Sequence, residues 1–313
     1  MRQILKNIRR EGIYAVLSLM IVLLSTLFTA PNIYAEENTK QGFLMTPMKQ
    51  QVIINPGDSY RGSFTIFNQA TNSKDFPYTI SIRSFYVDEN YNTIFDQDNN
   101  YSQISEWVSI NSPLSGSLSP NEKTNIDYTI SVPKNAPAGG QYVAIVVTSD
   151  NDVTANNSAV IEKTAIAHTI FAEITGSTTH SGEIVNISVP TIFLSGNIFG
   201  ESTIKNTGNV HGDATYTMQI YPLFSNEEIF TNTESPDTHI ILPDRSFYNK
   251  TEWPNTPSFG IFKVKYIASF EGLNKEIDKI VVVCPIWLML IIAVVIMAIV
   301  IGIVTLIQRK KRG

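Results

Sequence analysis

The sequence predicts an all-β protein: two tandem immunoglobulin-like β-sandwiches, preceded by an N-terminal signal peptide and followed by one C-terminal transmembrane helix. Three observations carry this reading. Through the middle of the chain apolar residues recur at every second position, the period of a strand with one buried face. Turn residues break these runs about every ten residues, the spacing of a sandwich. No stretch outside the two termini holds a helical period.

The amino terminus, residues 1–35, carries Arg2, Lys6, Arg9 and Arg10, then an apolar run from Ile13 to Phe28, then small and polar residues up to Ala35. That layout belongs to a secretory signal peptide, with cleavage after Ile33-Tyr34-Ala35. A cut after Ala30 would leave Pro31 first, and the Ala-ended polar segment argues against an uncleaved signal anchor. No cysteine stands in this region to accept a lipid.

The first sandwich is expected over 36–175. Phe64 and Ile66 alternate with Ser63 and Thr65, Phe76 to Ile82 alternate with Thr79, Ser81 and Arg83, and Ile126 to Val132 alternate with Asp127, Thr129 and Ser131. Such strands bury one face, as in antiparallel sandwiches. Gln141 to Thr148 is apolar on both faces and reads as a central strand. Turns are expected at Asn55-Pro56-Gly57-Asp58, Asn68 to Asn72, Asp98-Asn99-Asn100, Ser119-Pro120-Asn121 and Pro137-Ala138-Gly139-Gly140. Residues 149–159 read as a polar loop, and Val160 to Ile174 as a further strand.

Gly176 to Gly182, small and polar, marks the boundary to a second sandwich over 176–283. Its strands are expected around Ile184 to Val189, Glu201 to Lys205, Ala214 to Tyr221, His239 to Leu242, Phe259 to Phe270 and Ile277 to Val283. A turn at Asn206-Thr207-Gly208-Asn209 gives Gly208 the freedom to take a positive φ.

Ile286 to Ile307 is a run of 22 residues without charge, long enough at 1.5 Å per residue to cross a hydrocarbon core of about 30 Å. The basic tail 308–313, with Arg309, Lys310, Lys311 and Arg312, is expected in the cytoplasm and the sandwiches outside the cell, a single-pass type I arrangement. Trp287 falls at the outer interface. Between 36 and 285 stand 15 Lys and Arg against 27 Asp and Glu, a net charge of −12. An acidic ectodomain with no basic patch excludes nucleic acid as a partner. The one cysteine, Cys284, forms no intramolecular disulfide, so core burial alone must hold the fold. It either pairs between chains or sits at the interface as a small apolar residue.

The sequence offers no catalytic set, no cofactor motif and no metal motif. Ser131-Val132-Pro133-Lys134 matches Ser-x-x-Lys, but it ends a strand where the chemistry needs a helix start. His168, His180, His211 and His239 are scattered singly. Asp96-Gln97-Asp98-Asn99-Asn100 opens like a calcium loop, yet Tyr101 and Trp107 occupy the places of its glycine and glutamate. Phe85, Tyr86, Tyr91, Phe95, Tyr101 and Trp107 form an aromatic-rich stretch, read as a packed core or loop with a ligand face as the alternative. Leu242-Pro243-Asp244-Arg245 lacks the Thr-Gly of a sortase signal and lies far from the span.

Several motifs resemble one family. Pro47, Asn55 to Ser59 leading into Phe64-Thr65-Ile66-Phe67-Asn68, Glu106-Trp107-Val108, Leu118-Ser119-Pro120, and Val132 to Tyr142 are similar to the first domain of WxL-interacting-protein-like surface proteins of Gram-positive bacteria. The resemblance covers 43–174 by motif and the rest by layout. It implies a first domain that binds peptidoglycan and a second that meets partner surface proteins or host ligands. Met48-Lys49-Gln50-Gln51 stands where the family is expected to carry an Asn-Gln pair, so no binding residue is carried over.

The leading expectation is a membrane-anchored cell-surface protein, not an enzyme, that tethers a cell-wall component or a partner surface protein. The alternative is an extracytoplasmic chaperone or assembly accessory that takes strand-donating clients. A hydrolase built on Ser131 and Lys134 is the third.

Overall fold

The computed structural model describes residues 43–69, 75–95, 103–155 and 158–310. The expected signal peptide, the calcium-like segment 96–100 and the last residues of the basic tail lie outside the described residues. The described chain is mostly β, in four sheets, with one C-terminal helix.

The first ten strands are β1 (Phe43–Thr46), β2 (Lys49–Ile54), β3 (Ser59–Asn68), β4 (Phe76–Val87), β5 (Thr93–Phe95), β6 (Val108–Ile110), β7 (Ser115–Leu118), β8 (Lys123–Ser131), β9 (Gly139–Ala155) and β10 (Ser158–Ile174). They form a sheet ordered β1-β3-β8-β6 and a second ordered β2-β10-β9-β4-β5, with β7 also paired to β4. Period-two alternation decides which side chains face inward: Ile126, Tyr128 and Ile130 of β8 are buried while Asp127 between them is exposed. They meet Val143, Ile145 and Val147 of β9 and Ile170, Ala172 and Ile174 of β10 in one core.

The remaining strands are β11 (Gly182–Ser188), β12 (Ile192–Phe193), β13 (Phe199–Asn206), β14 (Gly212–Pro222), β15 (Phe230–Thr231), β16 (Asp237–Ile241), β17 (Ser246–Glu252), β18 (Gly260–Phe270) and β19 (Leu273–Val283). They form a sheet ordered β11-β13-β17 and another ordered β12-β19-β18-β14-β15, with β16 paired to β14. A second core lies between them, around Tyr216, Met218, Val264, Tyr266 and Val281.

Both pairs of sheets share one device that the sequence did not reveal. β1 pairs antiparallel with β3, and after Pro47 the chain crosses as β2 to pair parallel with β10. β11 pairs with β13, and after Pro190 the chain crosses as β12 to pair parallel with β19. Proline has no N–H to continue the ladder it leaves, so it suits the crossing point.

Two sequence expectations are corrected. The polar loop expected over 149–159 is instead the far end of a hairpin, because β9 runs to Ala155 and β10 starts at Ser158 with unbroken register. Main-chain ladder bonds hold two strands together without needing an apolar face. Gly208 does not take a positive φ. It is required by close approach, since a Cβ there would stand 2.2 Å from the Thr179 carbonyl oxygen.

The helix α1 (Ile286–Lys310) continues three residues past the expected end of the span. Its segment Ile286–Val304 is long and apolar enough to cross a membrane, and none of that segment is buried against the protein.

Candidate functional site

β10 is the element on which two features converge. β9 covers one edge of it from Ser158 to Ile174. On the other edge β2 pairs only with Thr169 to Ile174. Among the described residues no strand pairs with that edge from 158 to 168, a stretch of about 11 residues at about 3.3 Å each.

The parity of the opening follows from one bond. The Thr169 N–H donates to the Met48 carbonyl at 2.8 Å, so odd-numbered residues of β10 point their N–H and C=O away from β9. Ala165 and Ala167 therefore present donor and acceptor to the open side. Ile166 and His168 bond to β9.

His168 closes the core where β2 begins. Its Nδ1 donates to the Pro47 carbonyl at 2.8 Å, which leaves Nε2 to accept from the Tyr128 hydroxyl at 3.1 Å. Its ring stacks on Phe64 at 4.8 Å. Burial holds its pKa below the ordinary value, against the opposing pull of the Pro47 bond. Tyr128 is likewise shifted up by burial.

β19 also has an edge left open by β12, but the two edges differ in charge. Residues 273–281 carry Lys275, Glu276, Asp278 and Lys279, the blunting that protects an edge from adding a strand. Residues 158–168 carry only Glu162 and Lys163. The β10 edge is the more receptive.

The other face of β9 and β10 meets the second pair of sheets. Tyr142, Ala144, Val146 and Phe171 pack with Phe85, Tyr86, Val87, Ile240 and Leu242 in a third apolar cluster. This explains why Gln141 to Thr148 is apolar on both sides: Val143, Ile145 and Val147 face the first core, and Tyr142, Ala144 and Val146 face the joint. The aromatic-rich stretch serves the same contact. Tyr91 Oη donates to the Ile240 carbonyl at 2.6 Å and accepts from the Leu242 N–H at 3.1 Å. Tyr86 Oη donates to the Pro243 carbonyl. Arg245 Nε donates to the Val87 carbonyl at 2.8 Å, with the guanidinium 4.9 Å over the Tyr86 ring. Tyr91 sits at a φ of 65°, in a turn held by Asp88, whose carboxylate accepts from the Asn90 and Asn92 N–H groups. Those Asn92 bonds, side chain first, keep the Asp88 carboxyl below its usual range.

The Pro137-Ala138-Gly139-Gly140 motif is part of the joint too. The Gly140 N–H donates to the Asn209 carbonyl at 2.9 Å, and a Cβ on Gly139 would stand 3.0 Å from that oxygen. Beside it, a cleft of about 320 Å³ collects Gln51, Glu173, His180, His211, Asp213 and Glu271. Gln51 Nε2 donates to the Asp213 carboxylate at 3.1 Å, so its Oε1 must accept, and His211 Nε2 donates to it at 3.1 Å. His211 therefore carries a proton on Nε2. Burial pushes its pKa down to about 4, against the pull of Asp213 and Glu173. His180 bridges Glu173 and Glu271 at 3.2 and 3.4 Å.

The structure thus brings together two of the four histidines read as isolated. Among the described residues no group of three or more His, Cys, Asp or Glu is placed to hold a metal ion. Ser131 is exposed at the end of β8, and its Oγ lies 3.4 Å from that of Ser59. Trp107 packs on the first core, Phe95 is exposed, and Tyr101 lies outside the described residues. Leu242, from the sortase-like match, is buried in the joint. What sequence reading missed is the edge of β10 beyond β2; Pro47 marks the strand switch but not which main-chain groups are left without a partner strand.

No family model and no curated protein matches the chain. Among solved structures it is similar to the class 5 fimbriae chaperone CfaA, at 16% identity over 78% of this chain and 100% of that chain, TM-score 0.36. It is similar to a chain of the CsuC–CsuE chaperone–tip adhesion subunit pre-assembly complex of Acinetobacter baumannii, at 14% identity over 76% and 98%, TM-score 0.37. A third is the E. coli chaperone DraB, at 12% identity over 76% and 96%, TM-score 0.35.

Proposed function

We propose that the protein is a membrane-anchored, extracytoplasmic assembly accessory that holds a segment of a client protein as an added strand on β10. The observation that carries this is the open, sparsely charged edge of residues 158–168 beside a completed core. An extended segment there would gain main-chain hydrogen bonds to Ala165 and Ala167 and lay alternate side chains along the sheet. The joint supports the reading, because a strand template works best on a rigid frame. The tethering role that the sequence put first shares the helix α1 with this reading and has no geometry of its own beyond it.

Full-length protein in detergent, titrated with period-two apolar and polar peptides of about ten residues, tests the proposal by fluorescence anisotropy. Binding that is retained by the Leu114→Ala variant and lost in Ala165→Pro is expected. Binding that survives Ala165→Pro, or no binding by any peptide at micromolar concentration, would overturn it.

A further inference from the structure

The pole of the second pair of sheets from which α1 leaves is built differently from the rest of the surface. β19 ends at Val283, and only Cys284 and Pro285 precede the helix. Register brings the loops of that pole to the same place. Gly260 is opposite Val283, Phe193 runs beside Val283, and Pro222 is opposite Phe262. The Cys284 N–H donates to the Phe193 carbonyl at 2.9 Å, which ties the exit of the chain to the loop after β12. That loop and the one before β18 line an open groove of about 550 Å³ with Ile286 and Trp287.

Neither segment 192–199 nor segment 253–261 contains a charged residue, in an ectodomain that is otherwise acidic. Their tips expose Leu194 and Phe259, at 42% and 65%, and the neighbouring loop after β14 exposes Phe224 at 96%. Large apolar side chains gathered at one pole are unusual on a surface facing water. The loop that carries Phe224 also holds two glutamates: Glu228 is turned back along the sheet to accept from Gln219 and Tyr221, and Glu227 is exposed. The opposite pole, with Asn209 and Glu271, is the one engaged in the joint.

We infer that Leu194, Phe224 and Phe259 dip into the outer interfacial layer of the bilayer that α1 crosses, so that the sheets stand on the membrane by three apolar feet as well as by the helix. This rests on the reading of α1 as a membrane span. Lipid is the occupant that fits, because the patch is continuous with the apolar helix and the apolar and aromatic tips suit the boundary between headgroups and acyl chains. A foot on each side of the helix would also fix the tilt of the sheets, and with it the direction in which β10 faces.

The test uses the full-length chain with Cys284→Ser, reconstituted in vesicles of phosphatidylcholine and phosphatidylglycerol. Single nitroxide labels are placed by Leu194→Cys, Phe224→Cys, Phe259→Cys, Leu114→Cys and Ile296→Cys. Accessibility to oxygen relative to a water-soluble nickel complex is expected to be severalfold higher at 194, 224 and 259 than at 114, approaching that at 296. Labels at the three tips that match 114 while 296 stays lipid-exposed would overturn the docking and leave the span intact. A label at 296 that is itself open to the nickel complex would overturn the span and the docking together.

Discussion

At the scale of single residues, the joint concentrates the groups whose chemistry can be read out. His211 has a folded pKa near 4 against an ordinary 6.5, because burial disfavours its charged form. Between those values the unfolded chain binds the proton and the folded one does not, so stability falls as pH drops from about 6.5 to 4 and is unaffected by this group above that window. The size is on the order of 2–3 kcal/mol. His168 and His239 are shifted in the same direction by burial. A His211→Gln variant, compared with the parent by chemical denaturation across that range, is therefore expected to flatten the slope without abolishing it. Tyr91 offers a second readout. Tyr91→Phe leaves the Ile240 carbonyl and the Leu242 N–H without their partner, at a cost of about 1–3 kcal/mol in the same measurement.

At the scale of elements, strands whose burial alternates were legible in the sequence. β8, β14, β18 and the first half of β4 lie where period two placed them, because one face of each meets a core and the other is more exposed, while the end of β4 is buried on both faces against the joint. The central strand β9 was legible for a related reason, since its two apolar faces have two apolar neighbours. The crossing of β1 to β2 was not legible. Lys49, Gln50 and Gln51 carry no apolar period, and that first half of the strand is held by ladder bonds to β10, while only Val52 and Ile54 at its far end reach the core. The open edge could not be read for the same reason: which main-chain groups lack a partner depends on where a neighbouring strand stops. That edge makes a parity test possible. Ala165→Pro removes an outward N–H and should leave thermal stability nearly unchanged, while Ile166→Pro removes a bond to β9 and should cost about 3 kcal/mol or more.

At the scale of the molecule, the third cluster and its hydrogen bonds join the two pairs of sheets into one compact unit spanning Gly42–Gly313. Tyr86 read as part of an aromatic-rich stretch and Leu242 as the end of a strand, and only the folded chain shows that they belong to a shared core. Leu242→Ala should lower the unfolding midpoint of both pairs together, at about 2–5 kcal/mol. Scanning calorimetry, with fluorescence of variants that keep only Trp107 or only Trp253 of the three tryptophans, would follow the two halves separately; two transitions in the parent protein would contradict the single unit. If the proposed lipid contact and client role hold, a frame of this kind would keep β10 at a constant height and angle.

Amide hydrogen exchange along β10 of the free full-length protein tests the open edge most directly. Fast exchange at Ala165 and Ala167 beside slow exchange at Ile166 and His168, all four slow once a client peptide is added, is the expected pattern. Protection of Ala165 and Ala167 in the free protein equal to that of Ile166 and His168 would mean that the edge is already covered, and the strand-addition account would fall.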